Sequence, residues 1–415
     1  MKHTLFLSIL AAALLGGQAH AAEYIPTTTD ATYIDEQMRM HAGKYSETDD
    51  VSGGDVTINE EFDGGEDLSS SHVIGGFTKG TDKTATTNTV TMDGGQVLAV
   101  CGGYCLGDEA GTATTNTVTI TGGQVDSQVW GGFSFAGDAI NNTVNISGGQ
   151  VCDVCGGETK KATASGNTVT ITGGQVDGEV FGGSGSKTAN GNTVTISCAT
   201  VNRDVIGGSS NETVNGNTVT ISRATVNGDV IGGSAIASGT GTANDNTVVL
   251  SSCTVNGRVL AVSTGGTFTG NAIELYGTGI SAAALSNMQL LNFHIEGDAP
   301  MINLTSTKTD EALTLSGVTL GFMGETVQDW SVFDGKSITL VVAAQPITVE
   351  EGSLGNVEIK AEDGAVIATA TLGLENANKS LVLSDIKAAP PVPEPATGSL
   401  SLLALAGLCA RRRKT

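Results

Sequence analysis

Four shortages bound what this 415-residue chain can be. Bases are scarce, 20 Lys and Arg against 43 Asp and Glu, for a formal net charge of −23. A chain so acidic lacks the basic footprint that nucleic-acid binding needs, and its surface repels itself and stays soluble. Aromatic residues make up only 4% and prolines number 7, whereas glycines number 58. That balance suits many short strands and tight corners, while the lack of glycine at every third position excludes collagen. Histidines number five, and His41, His72 and His294 are scattered rather than set at zinc-ligand spacing. The nonapeptide calcium repeat is also missing. No catalytic, cofactor or metal constellation is expected.

What is present is a repeat. The clearest copy, Asn167 to Gly183, reads NTVTITGGQVDGEVFGG. Its opening triplet recurs at Asn88, Asn116, Asn142, Asn167, Asn192, Asn217, Asn246 and, degenerate, at Asn271, with a dominant step of 25 residues. A fixed period of this size marks a stacked array. Val169 and Ile171 alternate with Thr168, Thr170 and Thr172, which is the periodicity of a strand. The second half of each unit aligns as valine, a bulky apolar residue and usually two glycines. The valines run from Val73 to Val259. Their partners Ile74, Cys101, Trp130, Cys155, Phe181, Ile206, Ile231 and Leu260 are expected in the core. The glycine pairs, Gly75-Gly76 to Gly232-Gly233, are expected at sharp corners, where φ > 0 is needed. At the eighth unit the pair becomes Ala261-Val262, so the regular array is expected to end near there.

The ITGGQV segment is compatible with a hairpin turn or with a solenoid corner. Later units carry Cys198-Ala199, Arg223-Ala224 and Cys253-Thr254 in place of the glycines, and such residues tolerate a positive-φ turn poorly. The expectation is therefore an all-β fold: a β-solenoid, parallel β-helix-like, of about eight coils of about 25 residues, with strands pairing one coil apart at roughly 4.8 Å. Energy favours the stack. Burying about five apolar side chains per unit gains roughly 8–15 kcal/mol. Ordering about 25 residues costs more, at roughly 1–2 kcal/mol each. Single coils should not persist alone, whereas stacked coils share ladders and core.

The chain divides as follows. Residues 1–21 read as a signal peptide, with Lys2, an apolar run from Leu5 to Leu15, and the small-x-small cleavage pattern Ala19-His20-Ala21. Residues 22–50 are an N-terminal cap or linker, 51–276 the array, 277–389 a β-rich module or thick cap, and 390–415 a tail. In the module, Gln289 to Ile295, Ala312 to Ser316, Ser337 to Val342, Val357 to Lys360 and Val366 to Leu372 read as strands, with Phe293, Trp330 and Phe333 as core.

Two resemblances follow from these motifs. The NTVTI-GG-QV-GEVFGG pattern over roughly 51–276 is similar to repeats in the passenger regions of bacterial autotransporters and related adhesins, which implies an elongated surface stalk. The chain lacks a C-terminal run of long amphipathic strands, so it is not expected to be a complete autotransporter. The tail carries Pro393-Glu394-Pro395, an apolar stretch from Gly398 to Ala410, and Arg411-Arg412-Arg413-Lys414. It resembles the PEP-CTERM sorting signal of Gram-negative bacteria. That resemblance implies an exosortase-type processing protease as partner, transient inner-membrane insertion of a C-terminal transmembrane helix, and release at the cell surface, often with extracellular polysaccharide. The prolines hold the recognition segment extended, and the arginines stay cytoplasmic.

Candidate chemistry is sparse. Cys152 and Cys155 have CxxC spacing but fall in a strand, so they read as a local disulfide or buried thiols rather than a redox pair. Cys198 and Cys253 are expected at equivalent corners two coils apart, too far to bridge. Asp126, Asp177, Asp204 and Asp229 recur near the second strand, with Asn202, Asn227 and Asn256 replacing the acid. The chain is therefore expected to be an exported structural or adhesive protein without catalysis, meeting extracellular polysaccharide or cell-surface glycans. The alternatives are a polysaccharide-active β-helix enzyme, which would need carboxylates clustered on one face, and a water- or ice-ordering Thr-x-Thr face.

Overall fold

The computed structural model describes residues 32–35, 40–58, 71–236, 241–264, 266–324, 329–350 and 352–389. Within them the chain winds into a β-solenoid of about ten turns, against the eight expected, with 59% of residues in strands. Each full coil has three walls. The first wall stacks the alternating segments Asp55–Ile58, Thr89–Met92, Thr117–Ile120, Thr143–Ile146, Thr168–Ile171, Thr193–Ser197, Thr218–Ser222 and Thr247–Ser251 in parallel. Register is residue for residue: Val118 faces Val90 and Val144, and Ile120 faces Met92 and Ile146. The period-2 pattern decides this, since a slip of one residue would turn every valine outward. The bent wall is the second half of the unit, as in Gln124–Ser134 and Gln150–Thr159, whose pairing breaks between Val125 and Gln128 to form the bend. The short wall is a separate sheet, nine-stranded among the described residues, running from Val51–Ser52 to Thr267–Thr269.

Valine and isoleucine from the first and bent walls make one core that runs unbroken from Val56 to Ile386. The column of bulky partners is not in it. Ile74, Cys101, Trp130 and Cys155 turn to the outer side of the bend and, with Phe77 and Phe133, form a second cluster; Ile206, Ile231 and Leu260 form another. The alternation that sends each valine inward sends its neighbour outward. These side chains stay buried because the concave bend brings the column against residues three places on, as where Trp130 and Phe133 lie 5.7 Å apart.

Two glycine roles differ from expectation. The glycine pairs lie inside strands, as Gly131 and Gly132 do, and none has a left-handed φ. They are needed for close approach. A Cβ on Gly132 would sit 2.5 Å from the Asn142 side chain, and one on Gly131 would sit 2.4 Å from the Gly156 carbonyl. The left-handed corner is elsewhere, at Gly95, Gly123, Gly149 and Gly174 in the QV turn. Where Ala199, Ala224 and Cys253 stand at that position, the left-handed turn moves one residue earlier, and Cys198, Arg223 and Ser252 take φ of 53°, 49° and 47°. The solenoid topology holds, but the ground on which those residues argued for it does not: they accept the left-handed turn because the stacked corner over-determines it. Register pairs Ser197 with Ser222 and Ser222 with Ser251. Cys198 is therefore level with Ser252, not with Cys253; Cys198 is exposed and Cys253 buried.

Stacking does not stop at residue 276. Ala272–Tyr276, Leu290–Ile295 and Thr319–Gly324 extend the first wall, and Thr254–Thr264, Ile280–Ser286, Ile302–Leu304 and Ile338–Ala343 extend the bent wall. The period is lost because the short wall ends at Thr267–Thr269, which shortens the coil from Asn271 to Gln289 to 18 residues. Phe293, Trp330 and Phe333 are buried in the continuous core. At the far end Gly355–Lys360, Val366–Glu375 and Ser380–Ala388 form an antiparallel meander joining the last rungs of both walls. This covers the edge of Ile338–Ala343, while Thr319–Gly324 is met only where Met323 pairs with Lys360. Of the expected module strands, Ala312 to Ser316 contributes only the bridge Thr314–Thr348, and Ile280–Ser286, Ile302–Leu304, Thr319–Gly324 and Ser380–Ala388 were not anticipated. At the start, Thr32–Asp35 pairs antiparallel with Met40–Ser46, which is already a parallel rung on His72–Thr78.

Candidate functional site

The organising feature lies inside the molecule. Asn88, Asn116, Asn142, Asn167, Asn192, Asn217, Asn246 and Asn271, which open the repeats, are all fully buried. Each sits at the corner between the short and first walls. Its Nδ2 donates to the Oδ1 of the next asparagine at 2.8–3.1 Å. The same Oδ1 also accepts the preceding asparagine's backbone N–H, as Asn192 Oδ1 does from Asn167 at 3.0 Å. From Asn116 onward the second amide proton goes to a carbonyl one rung back, for example Asn192 Nδ2 to Ala164 O at 3.1 Å. Gln289 accepts at the last rung. A buried amide so fully paired specifies one register and leaves no polar atom orphaned. The triplet was legible as a punctuation mark; its inward role was not, because asparagine at a corner reads equally well as a turn residue.

The acids form two outer columns rather than one. Along the bend, Asp177 accepts from Gln150 and Gln175, and Asn202, Asn227 and Asn256 continue that column amide to amide. These amide donors hold the Asp177 carboxyl below its ordinary range. Three residues before each glycine pair runs the other column: Asp153, Glu179, Asp204, Asp229 and Arg258. Here each aspartate accepts the next rung's N–H, Asp153 from Glu179, Asp204 from Asp229, and Asp229 from Arg258, whose guanidinium also pairs with Asp229 at 2.6 Å. Burial raises Asp153, and the Glu179 N–H offsets this in part. Asp204 and Asp229 are thus out of line with Asp177 and its asparagine successors.

A unique cluster sits on the bend. Trp130 Nε1 donates to Glu158 Oε2 at 2.6 Å, and Lys160 pairs with the other carboxylate oxygen. Beside them a cavity of about 40 Å³ is lined by Asp153, Cys155, Phe181 and Ser184. Cys152 and Cys155 are both free thiols; Cys155 is buried in the aromatic cluster, and Cys152 is half-exposed. Burial drives the thiols of Cys101 and Cys155 well above their ordinary value, Cys105 up to about 12 and Cys253 to about 11. A thiol reagent added to the folded protein with Cys409 changed to serine should therefore label Cys198 first and Cys152 more slowly. Cys101, Cys105, Cys155 and Cys253 should react only on unfolding, as mass spectrometry of the labelled peptides would show.

On the later rungs, Glu274 accepts from Asn292 and His294, each at 2.7 Å, and Tyr276 stacks on the His294 ring at 3.7 Å. Burial pushes the Glu274 carboxyl up, but the His294 and Asn292 hydrogen bonds and the electrostatic attraction of His294 outweigh it and hold it below its ordinary value. A depressed carboxylate stabilises the fold above its ordinary pKa and loses that contribution as pH falls through the folded value. Glu274→Gln should therefore flatten the acid limb of the stability curve below about pH 4.5, measured by thermal unfolding across pH.

A wider opening of about 1150 Å³ lies where Gly355–Lys360 splays from Thr319–Gly324; Phe322, Glu358, Lys360 and Lys387 line it. Among the described residues no group of three or more His, Cys, Asp and Glu is placed to hold a metal ion. Nor is any helix there long and apolar enough to cross a membrane. Ala19, Ala21, Pro393, Glu394, Pro395, Arg411, Arg412 and Arg413 lie outside the described residues, as does the apolar stretch Gly398 to Ala410. The PEP-CTERM protein-sorting motif matches residues 391–414. No curated protein and no solved structure matches the chain.

Proposed function

We propose that this exported surface protein, marked by its C-terminal sorting motif, is a non-catalytic structural or adhesive rod. The observation that carries the proposal is the unbroken interior amide ladder. It spends the most regular residue of every unit on locking rung to rung, which serves stiffness and reach rather than a cleft. The recurring acids support the same reading. Asp153, Asp177, Asp204 and Asp229 are engaged as rungs by amides and backbone N–H groups, so the residues an enzyme would need are occupied in holding the bend. Such rods present long lateral surfaces and gain avidity from many weak contacts, the mode suited to extracellular polysaccharide or cell-surface glycans.

Incubating the purified chain with a panel of polysaccharides should give saturable retention without new reducing ends or unsaturated products. Turnover abolished by Asp153→Asn with Glu158→Gln would reject the non-catalytic reading in favour of a polysaccharide-active enzyme. For the export route, the secreted protein should begin after Ala21 and lack Arg411 to Lys414, removed by an exosortase-type protease. Mass spectrometry that finds those residues intact outside the cell would overturn that route.

A further inference from the structure

The outer side of the first wall differs chemically from the rest of the molecule. Its outward residues form columns in exact backbone register along the axis. Thr89, Thr117, Thr143, Thr168, Thr193, Thr218 and Thr247 make one unbroken column. Thr91, Thr119, Asn145, Thr170, Thr195, Thr220 and Val249 make the second. Ser197, Ser222 and Ser251 continue a third that begins with Thr121, Ser147 and Thr172. From the rung of Thr117 to that of Thr247, every outward residue except Asn145 and Val249 carries a hydroxyl, and none is charged. All are partly or fully exposed. Charge returns only at the margins, with Asp55 and Asp93 before and Glu274 after.

Two features show that this is more than a strand preference for threonine. In a chain of net charge −23, a solvated sheet face would be expected to carry Glu and Lys among its threonines. This one carries none for six successive rungs. The hydroxyls are also left unused. Among the described residues, Thr89 bonds Asp55 and Thr121 bonds the Met92 carbonyl, but the other hydroxyls of this face make no hydrogen bond within the chain. The bend behaves otherwise, with its amides and carboxylates tied to one another across the coils.

The geometry is a two-dimensional grid. Rungs repeat at roughly 4.8 Å along the axis, and alternate residues lie roughly 6.6 Å apart along each strand. The amide ladder and core hold that grid rigid before anything binds, which removes the ordering cost of association. We infer that this face binds the surface of ice. An uncharged array of hydroxyls and methyls suits an uncharged oxygen lattice that repeats on the same ångström scale in both directions. An ionic partner would find no opposite charge. A glycan chain would call for aromatic platforms and convergent donors, which lie on other walls. Many weak, simultaneously matched contacts on a rigid array hold far more tightly than any one of them.

The test uses the purified exported chain in a nanolitre osmometer, with partition into a slowly growing ice hemisphere as a second readout. Thermal hysteresis with faceted crystals, and enrichment in the ice fraction, are expected. Thr170→Lys combined with Thr195→Lys should reduce both on the order of tenfold by removing contacts that act together. Thr200→Lys, on the bent wall, should leave them unchanged, with far-UV circular dichroism confirming the fold of each variant. A folded chain that neither shapes ice nor partitions into it overturns the inference. So does activity that survives the two lysines, or a lysine effect seen only on self-association or on binding to an insoluble glycan. None of these outcomes bears on the catalytic assay, so the inference and the proposed function fail separately.

Discussion

Asn192→Leu is expected to destabilise the solenoid by roughly 3–9 kcal/mol, since each of three orphaned buried polar groups costs roughly 1–3 kcal/mol. The substitution removes an acceptor shared by the Asn167 backbone N–H and Asn167 Nδ2, and a donor to the Ala164 carbonyl. These three groups are enclosed, and leucine satisfies none of them. Asn217 keeps one donor, the backbone N–H of residue 192, so the damage falls on the N-terminal side. In a nearest-neighbour array the loss should also weaken coupling between halves. Urea unfolding followed by circular dichroism should show a lower midpoint and a broadened or split transition. Asn202→Leu on the exposed outer column is the control, and it should change stability by no more than about 0.5 kcal/mol.

Gly183→Ala should cost about 3 kcal/mol, at the upper end of what overpacking by one carbon costs. A Cβ there would lie 2.5 Å from Asn192 Oδ1, and that side chain cannot withdraw because its amide is fixed on both sides, by Asn167 at Oδ1 and by Ala164 and Asn217 at Nδ2. The effect is steric, since Gly183 has no left-handed φ. Gly297→Ala, with nothing within 4 Å of the added carbon, should be close to neutral. Gly191→Ala tests the other role: with a φ of 61° and nothing within 4 Å of the added carbon, it predicts a loss of about 1 kcal/mol through backbone strain alone. Thermal unfolding of the three variants separates close approach from conformational freedom. If Gly191→Ala proves the most damaging, the assignment of roles is wrong.

The two substitutions also show where sequence and structure part. The strand alternation of Val169 and Ile171 and the 25-residue step made the stack legible, because burial and register act through residue type at a fixed interval. The PEP motif was legible because it is linear. The interior ladder was hidden: a strand pattern tells which way valine points, but not that an asparagine at a corner turns in under a glycine. The glycine pair was misread for the same reason. Glycine marks either a left-handed turn or a close approach, and only the partner tells which. The outer column of Cys101, Trp130 and Cys155 looked like core because apolarity was taken as inwardness; a concave bend buries its outer face too. The continuation past residue 276 was masked by the loss of one wall. Trp130–Glu158 and Glu274–His294–Tyr276 occur once each, and a repeat gives no signal for residues that depart from it.

The central claim is that equivalent residues stack coil upon coil along one axis at a constant rise. Spin labels on Thr91→Cys with Thr220→Cys, in a chain whose Cys152, Cys198 and Cys409 are changed to serine, test it by dipolar spectroscopy. Those positions are five rungs apart on one column. The account predicts a single narrow distribution near 24 Å, five steps of roughly 4.8 Å, and about one step less for Thr119→Cys with Thr220→Cys. A broad distribution, or distances that do not shorten rung by rung, would contradict it.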